Sequence, residues 1–202
     1  RIFNVTGQDD PFPAEAAPGG RLVVVCRHAR EKEVDRLLRI FAQYVYPKVE
    51  GATLTLVGDG PESDVLKELA KELGIDDRTY FMGEQSLQQM PAWYRHGDLF
   101  VYTSLSETYG QVISEALWCG IPVVAMDDGM GVAGQVTDGE DGFLVDPRSA
   151  SANEEFGHHV ELLLTKDALR RQMSARAVSN AKGRSDPEAC VQRYLEVFEI
   201  AK

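Results

Sequence analysis

Cysteine is scarce in this chain, and basic charge is outnumbered. Three cysteines occur among 202 residues, Cys26, Cys119 and Cys190, and none forms a CxxC pair. That pattern excludes a disulfide-stapled scaffold and a thiolate zinc site, and it fits structural thiols in a reducing compartment. The four histidines, His28, His96, His158 and His159, stand at no metal-ligand spacing with cysteine or carboxylate. His158 and His159 are expected to be exposed on a polar helix. No apolar run approaches the roughly 18 residues of a membrane-spanning helix, and no signal-peptide pattern opens the chain. A cytoplasmic domain without membrane contact is therefore expected. Lys and Arg number 21 against 32 Asp and Glu, a net charge of −11. This balance argues against nucleic acid as a partner, yet a few local cations and a helix start can still hold a small anion. Neither internal repeats nor low-complexity tracts occur.

What is present suffices for a full core, with 44% hydrophobic residues. The opening, from Arg1 to Gly20, is rich in Pro and Gly and lacks an initiating Met. It reads as a linker within a longer chain. Apolar runs at 21–26, 53–58, 79–83, 98–102 and 122–126 predict buried strands, and 138–146 a turn leading into a last short one. Between them, apolar residues at helical spacing predict helices: Val34, Leu37, Leu38, Phe41, Tyr44 and Val45 within 32–46, and Leu66, Leu69, Ala70 and Leu73 before Gly74. Helical turns are expected at 86–96 and 110–119, a Gly-rich loop at 127–134, and helices alone from about Ser151. Strands that are continuous apolar runs, alternating with helices, predict an α/β fold: a doubly wound, Rossmann-like parallel sheet of about six strands. The expected organisation is a linker at 1–20, a domain at 21–165, and C-terminal helices at 166–202 packed on it.

In such a sheet the ligand sits beyond the carboxyl ends of the strands. Arg27 and Lys32 follow the first strand there, and can offer a guanidinium fork and a point charge to phosphate oxygens, or be ordinary surface charges. His28 lies at the same edge, either as a ligand contact or as a loop side chain. Gly58-Asp59-Gly60-Pro61 is a tight turn whose glycines permit close approach by backbone or ligand. Glu107 and Glu115 stand eight positions apart across Gly110, one before a helix and one inside it. They suit the hydroxyls of a polyol, with the helix start suited to an anion; a solvated helix face is the other reading. The glycine-rich stretch 127–134 can cradle an anion with backbone N–H groups, or simply connect two elements.

Taken in order, these segments resemble the C-terminal, donor-binding half of retaining GT-B glycosyltransferases, the group of glycogen and sucrose synthases. The resemblance covers roughly residues 4–165: 4–13, the Arg27/Lys32 pair, 56–61, 81–83, the E-x7-E motif from Glu107 to Glu115, 120–124 and 138–145. It implies that Glu115 binds the nucleotide's ribose and Glu107 the donor sugar. It also implies that the N–H groups of Tyr109, Gly110 and Gln111 meet sugar or phosphate, and that Arg27 and Lys32 offset the charge of the leaving diphosphate. The main chain around Tyr80 to Gly83, including Met82, would hold the base, with Gly58 and Gly129 also against the donor. No metal or other cofactor is implied, because the cations and helix dipoles supply the electrophilic help. A companion acceptor-binding half is implied, without which this chain is expected to transfer little. Cys26 and Glu33 replace glycines usual before the Arg and after the Lys, and Gly134-Gln135 stands where the group often carries Glu. A sugar-nucleotide epimerase-like domain and a catalytically dead nucleotide-binding or interaction module are the rival readings.

Overall fold

A computed structural model describes residues 7–184. Residues 1–6 and 185–202 lie outside the described residues, and with them the start of the predicted linker, Cys190 and the end of the predicted C-terminal helices. Six strands form one sheet in the order β3-β2-β1-β4-β5-β6. They are β1 (Arg21–Val25), β2 (Thr53–Val57), β3 (Thr79–Phe81), β4 (Leu99–Tyr102), β5 (Val123–Met126) and β6 (Gly142–Val145). Every pairing is parallel, so all six carboxyl ends share one edge. β2, β4 and β5 are buried at every residue, which requires cover on both faces and explains the unbroken apolar runs of β4 and β5.

The helices are α1 (Val34–Ile40), α2 (Ser63–Glu72), α3 (Met90–His96), α4 (Gln111–Trp118), α5 (Gly131–Gln135), α6 (Ala152–Thr165) and α7 (Asp167–Arg184). α1 packs with α2 and α6, while α4 packs with α3, α5 and α7. The single helix predicted over 32–46 is broken. A 3₁₀ turn at Arg30–Lys32 precedes α1, and Glu33 between them takes the left-handed conformation, φ 48° and ψ 38°. A π-turn at Phe41–Val45 then continues α1. A short helix, α5, also occupies the end of the predicted 127–134 loop.

The segment before β1 is fastened to the domain. Phe12 is buried edge-on to Trp93, ring centroids 5.1 Å apart. The Arg21 guanidinium lies over Phe12, pairs with Asp10 at 2.8 Å and donates to the Ala16 carbonyl at 2.6 Å. An arginine opening a buried strand is tolerated because its charge and donors are met locally.

Candidate functional site

In the strand order, β1 is the point from which the chain winds out to either side, with β4 as its neighbour on the second half. Adjacent strands there send their loops in opposite directions and leave a crevice at the carboxyl edge. A cavity of about 480 Å³ opens at this edge, its lining including Cys26, Arg27, Gly58, Glu84, Gln85 and Val112. Arg27, just past β1, is exposed, and its side chain makes no hydrogen bond or ion pair with any described residue. Its guanidinium is available to a ligand.

Close backbone approach shapes the floor of this cavity. At Gly58 φ is +134°, and a Cβ there would lie 1.9 Å from the Cys26 carbonyl oxygen. The Gly58 N–H donates to the Gly83 carbonyl at 2.8 Å, and the His28 N–H to the Asp59 carbonyl at 3.0 Å. The exits of β1, β2 and β3 are thus laced together. His28 itself is buried and edge-on to Phe81, with Nδ1 2.8 Å from the Ser63 hydroxyl, which in turn donates to Asp59. Of the two readings open for His28, the structure supports the loop side chain: it closes the turn. Burial keeps its imidazole below the ordinary value.

Lys32 and Glu107 come together although 75 positions separate them. Their ammonium and carboxylate form an ion pair, and the same carboxylate oxygen accepts from the Tyr102 hydroxyl at 2.7 Å and the Ser104 hydroxyl at 3.1 Å. Burial pushes the Glu107 carboxyl up, but the hydrogen bonds from Lys32 and Tyr102 and the Lys32 charge outweigh it, and the net value lies below the ordinary one. Glu107 is therefore a held anion rather than a poised acid. The Tyr102 phenol is driven far up by burial and by the neighbouring carboxylate, and acts as a permanent donor. Sequence reading missed Tyr102 and Ser104. Tyr102 resembled any apolar strand residue, and its role depends on the strand ending beside Glu107.

Glu115, on α4, accepts from Tyr94 at 2.9 Å through one oxygen and from Gln111 at 3.0 Å through the other. Each carboxylate oxygen keeps a further lone pair for a ligand hydroxyl. Gly110, at φ +70°, precedes α4. No described residue accepts from the N–H groups of Tyr109, Gly110 or Gln111, as a helix start leaves them. The loop carrying them is clamped from α5. The Gly131 N–H donates to the Glu107 carbonyl at 2.9 Å, and the Gln135 amide to the Tyr109 carbonyl at 3.1 Å. A Cβ on Gly131 would come within 2.4 Å of that Glu107 carbonyl.

A profile of the family described as Glycosyl transferases group 1 matches residues 10–180. The chain belongs to this family. D-inositol 3-phosphate glycosyltransferase of Nocardia farcinica is 37% identical over 175 residues, which are 83% of this chain and 38% of that protein. Among solved structures, S. aureus TarM superposes with a TM-score of 0.79 at 19% identity, covering 95% of this chain and 38% of that one. Anabaena Alr3699/HepE, solved with UDP and glucose, superposes at 0.73 with 28% identity, over 90% of this chain and 48% of that one. The chain spans less than half the length of the curated relatives it matches. The fold is the Rossmann-like half of the GT-B glycosyltransferases.

Within this group 1 frame, two expectations from the sequence are corrected, and the glycine usual at a third position is explained. The 127–134 stretch does not present an open anion cradle. Its N–H groups at Gly129, Met130, Val132 and Ala133 are taken by the carboxylates of Asp127 and Asp128, at 2.8–3.2 Å. Asp128 so caps α5, a signal of Asp before a short helix that was readable but overlooked. Gly129 remains exposed, lining a second cavity of about 310 Å³ with Asp127 and Arg148. At position 33, the left-handed backbone accounts for the glycine usual in the family; here the Glu33 side chain pairs with Arg36 at 3.2 Å. His159 is half-buried against Phe143, rings 4.1 Å apart and nearly parallel, while only His158 is exposed. Met82 and Gly83 follow β3 as expected. The Met82 N–H is spent on the Leu56 carbonyl at 2.9 Å.

Proposed function

We propose that this chain is the donor half of a retaining glycosyltransferase. It holds a nucleoside-diphosphate sugar along the carboxyl edge, and the hexosyl group passes to an acceptor carried by a companion half. The observation that supports this best is the meeting of Lys32 and Glu107 beside the unbonded N–H groups of Tyr109, Gly110 and Gln111. A fixed anion for sugar hydroxyls, a cation and a helix start for phosphate then stand at one place. Arg27 and Lys32 stabilise the charge that develops on the departing diphosphate, which is the step where fixed dipoles and cations lower a barrier most. Met82 and Gly83 back the base, Gly58 forms the cavity floor by admitting the Cys26 carbonyl, and Gly129 borders the sugar. In this reading the reaction needs no metal, and the setting is cytoplasmic.

Calorimetric titration of the chain with nucleoside diphosphates tests the site. Binding is expected in the micromolar to millimolar range, since one wall of a two-walled cleft buries a ligand incompletely. Arg27→Ala is expected to weaken that binding by about 1.5–3 kcal/mol, the scale of a charge-assisted hydrogen bond. Equal affinities would remove Arg27 from the site. Glu115→Gln should impair a ribonucleotide far more than its 2′,3′-dideoxy analogue, because only the former brings hydroxyls to the carboxylate. Parallel losses would make Glu115 a structural partner of Tyr94. With the companion half joined, the product's anomeric configuration, read by NMR, should match the donor's; an inverted product would overturn the retaining assignment.

A further inference from the structure

Resting on the donor-site reading above, we propose that His28 is the positioning residue for Arg27: its neutral imidazole, bonded to Ser63, locks the turn that aims the guanidinium at a diphosphate.

Arg27 cannot aim itself. Its side chain is exposed and meets no described residue, so its direction is set by backbone alone. That backbone is pinned on both sides to the exit of β2. The Cys26 N–H donates to the Val57 carbonyl at 3.1 Å, and the His28 N–H to the Asp59 carbonyl at 3.0 Å. The His28 carbonyl accepts from the Glu62 N–H at 3.0 Å, and a Cβ on Gly60 would come within 2.3 Å of it. A shift at residue 28 is therefore felt at Arg27.

A side-chain relay holds this contact. The Asp59 carboxyl is kept below its ordinary value, chiefly by the Ser63 hydroxyl, and an ionised carboxylate only accepts. The Ser63 proton therefore goes to Asp59. The Ser63 oxygen has two lone pairs left. The Gly60 N–H takes one at 3.0 Å, and His28 Nδ1, 2.8 Å away, donates into the other. This assigns the tautomer: the proton sits on Nδ1, and Nε2 carries a lone pair. His28 is 1% exposed, and Nε2 is buried with no partner. A second proton there would create a buried cation with nothing to accept its N–H. Burial and Lys67 on α2 outweigh the pull of Asp59 toward the charged ring, and Phe81 of β3 brings no charge. A protonated ring must leave for water, and the bond to Ser63 goes with it.

The test is an NMR titration of the chain with UDP-glucose and GDP-mannose, probes whose diphosphate is esterified at both ends and does not titrate near neutrality. The imidazole nitrogen shifts should show Nδ1 protonated and Nε2 bare. At neutral pH, His28→Leu should weaken binding about 10-fold. His28→Asn, whose amide N–H replaces Nδ1–H toward Ser63, should restore most of that loss. In an Arg27→Ala background His28→Leu should change affinity no further, because its effect passes through Arg27. The parent's affinity should fall at a pH below the ordinary imidazole value of 6.5, while the Asn variant should bind evenly there. Circular dichroism checks folding, and if His28→Leu does not fold, the Asn variant's pH profile decides. Unchanged affinity in His28→Leu, or a loss that adds to that of Arg27→Ala, would overturn the role of His28 and leave the donor site standing. So would a proton on Nε2, or one pH profile shared by parent and Asn variant. Failure of both probes to bind the parent would overturn the donor-site reading along with it.

Discussion

Gly58→Ala should cost more than about 4 kcal/mol of stability, among the largest effects of any single substitution. Two independent penalties meet at this residue. The added Cβ would sit 1.9 Å from the Cys26 carbonyl oxygen, a contact with backbone that no side-chain rotation relieves. A φ of +134° is also a conformation that an L-residue adopts only under strain. Relief would require parting the exits of β1 and β2, which would break the bond from the Cys26 N–H to the Val57 carbonyl and open the cavity floor. Gly139→Ala is the matched control, with φ +73° and no atom within 4 Å of the new Cβ; it should cost only about 1–2 kcal/mol. Urea unfolding of both variants measures the difference. Equal midpoints would show that β1 and β2 do not approach so closely.

Glu107→Ala is expected to cost about 2–4 kcal/mol and to abolish donor binding. The loss leaves the Lys32 ammonium and the Tyr102 and Ser104 hydroxyls facing an empty acceptor position. Fully buried broken pairs cost about 3–5 kcal/mol, and the figure here is smaller because 18% of the Lys32 and 16% of the Glu107 side chain remain in water. A double-mutant cycle with Lys32→Met separates coupling from simple loss: the double variant should be less destabilised than the two singles summed. Additive losses would mean that the pair contributes nothing jointly.

The same pair predicts a pH dependence with a definite sign. The folded Glu107 carboxyl lies below its ordinary value of 4.5. Folding therefore favours the ionised form, and this stabilisation is complete above 4.5 and lost as pH falls through the lower folded value. Urea midpoints should fall in that acidic window, and Glu107→Gln should flatten the descent. An unchanged slope in the glutamine variant would assign acid sensitivity to other carboxylates.

Much of this molecule was legible in its residues. Runs such as 22–26 and 122–126 are apolar throughout, which only a strand covered on both faces requires, so the parallel sheet could be read before its order was known. The spacing of Glu107 and Glu115 around Gly110 marked the loop and helix start of the site, because local backbone geometry and capping depend on neighbours in sequence. Other features depend on partners that are distant along the chain. The pairing of Lys32 with Glu107 needs β4 laid beside β1, and Tyr102 becomes a hydrogen-bond donor only because its strand ends there. Whether the N–H groups of 129–133 were open or occupied turned on where two aspartate side chains point: Asp127 turns onto Gly129 and Asp128 onto the start of α5. Sequence fixes which groups a chain owns and where its backbone can turn. Which of those groups are already satisfied by one another, and which are left for a ligand, is decided when the strands are set side by side, because a hydrogen bond reaches only about 3 Å.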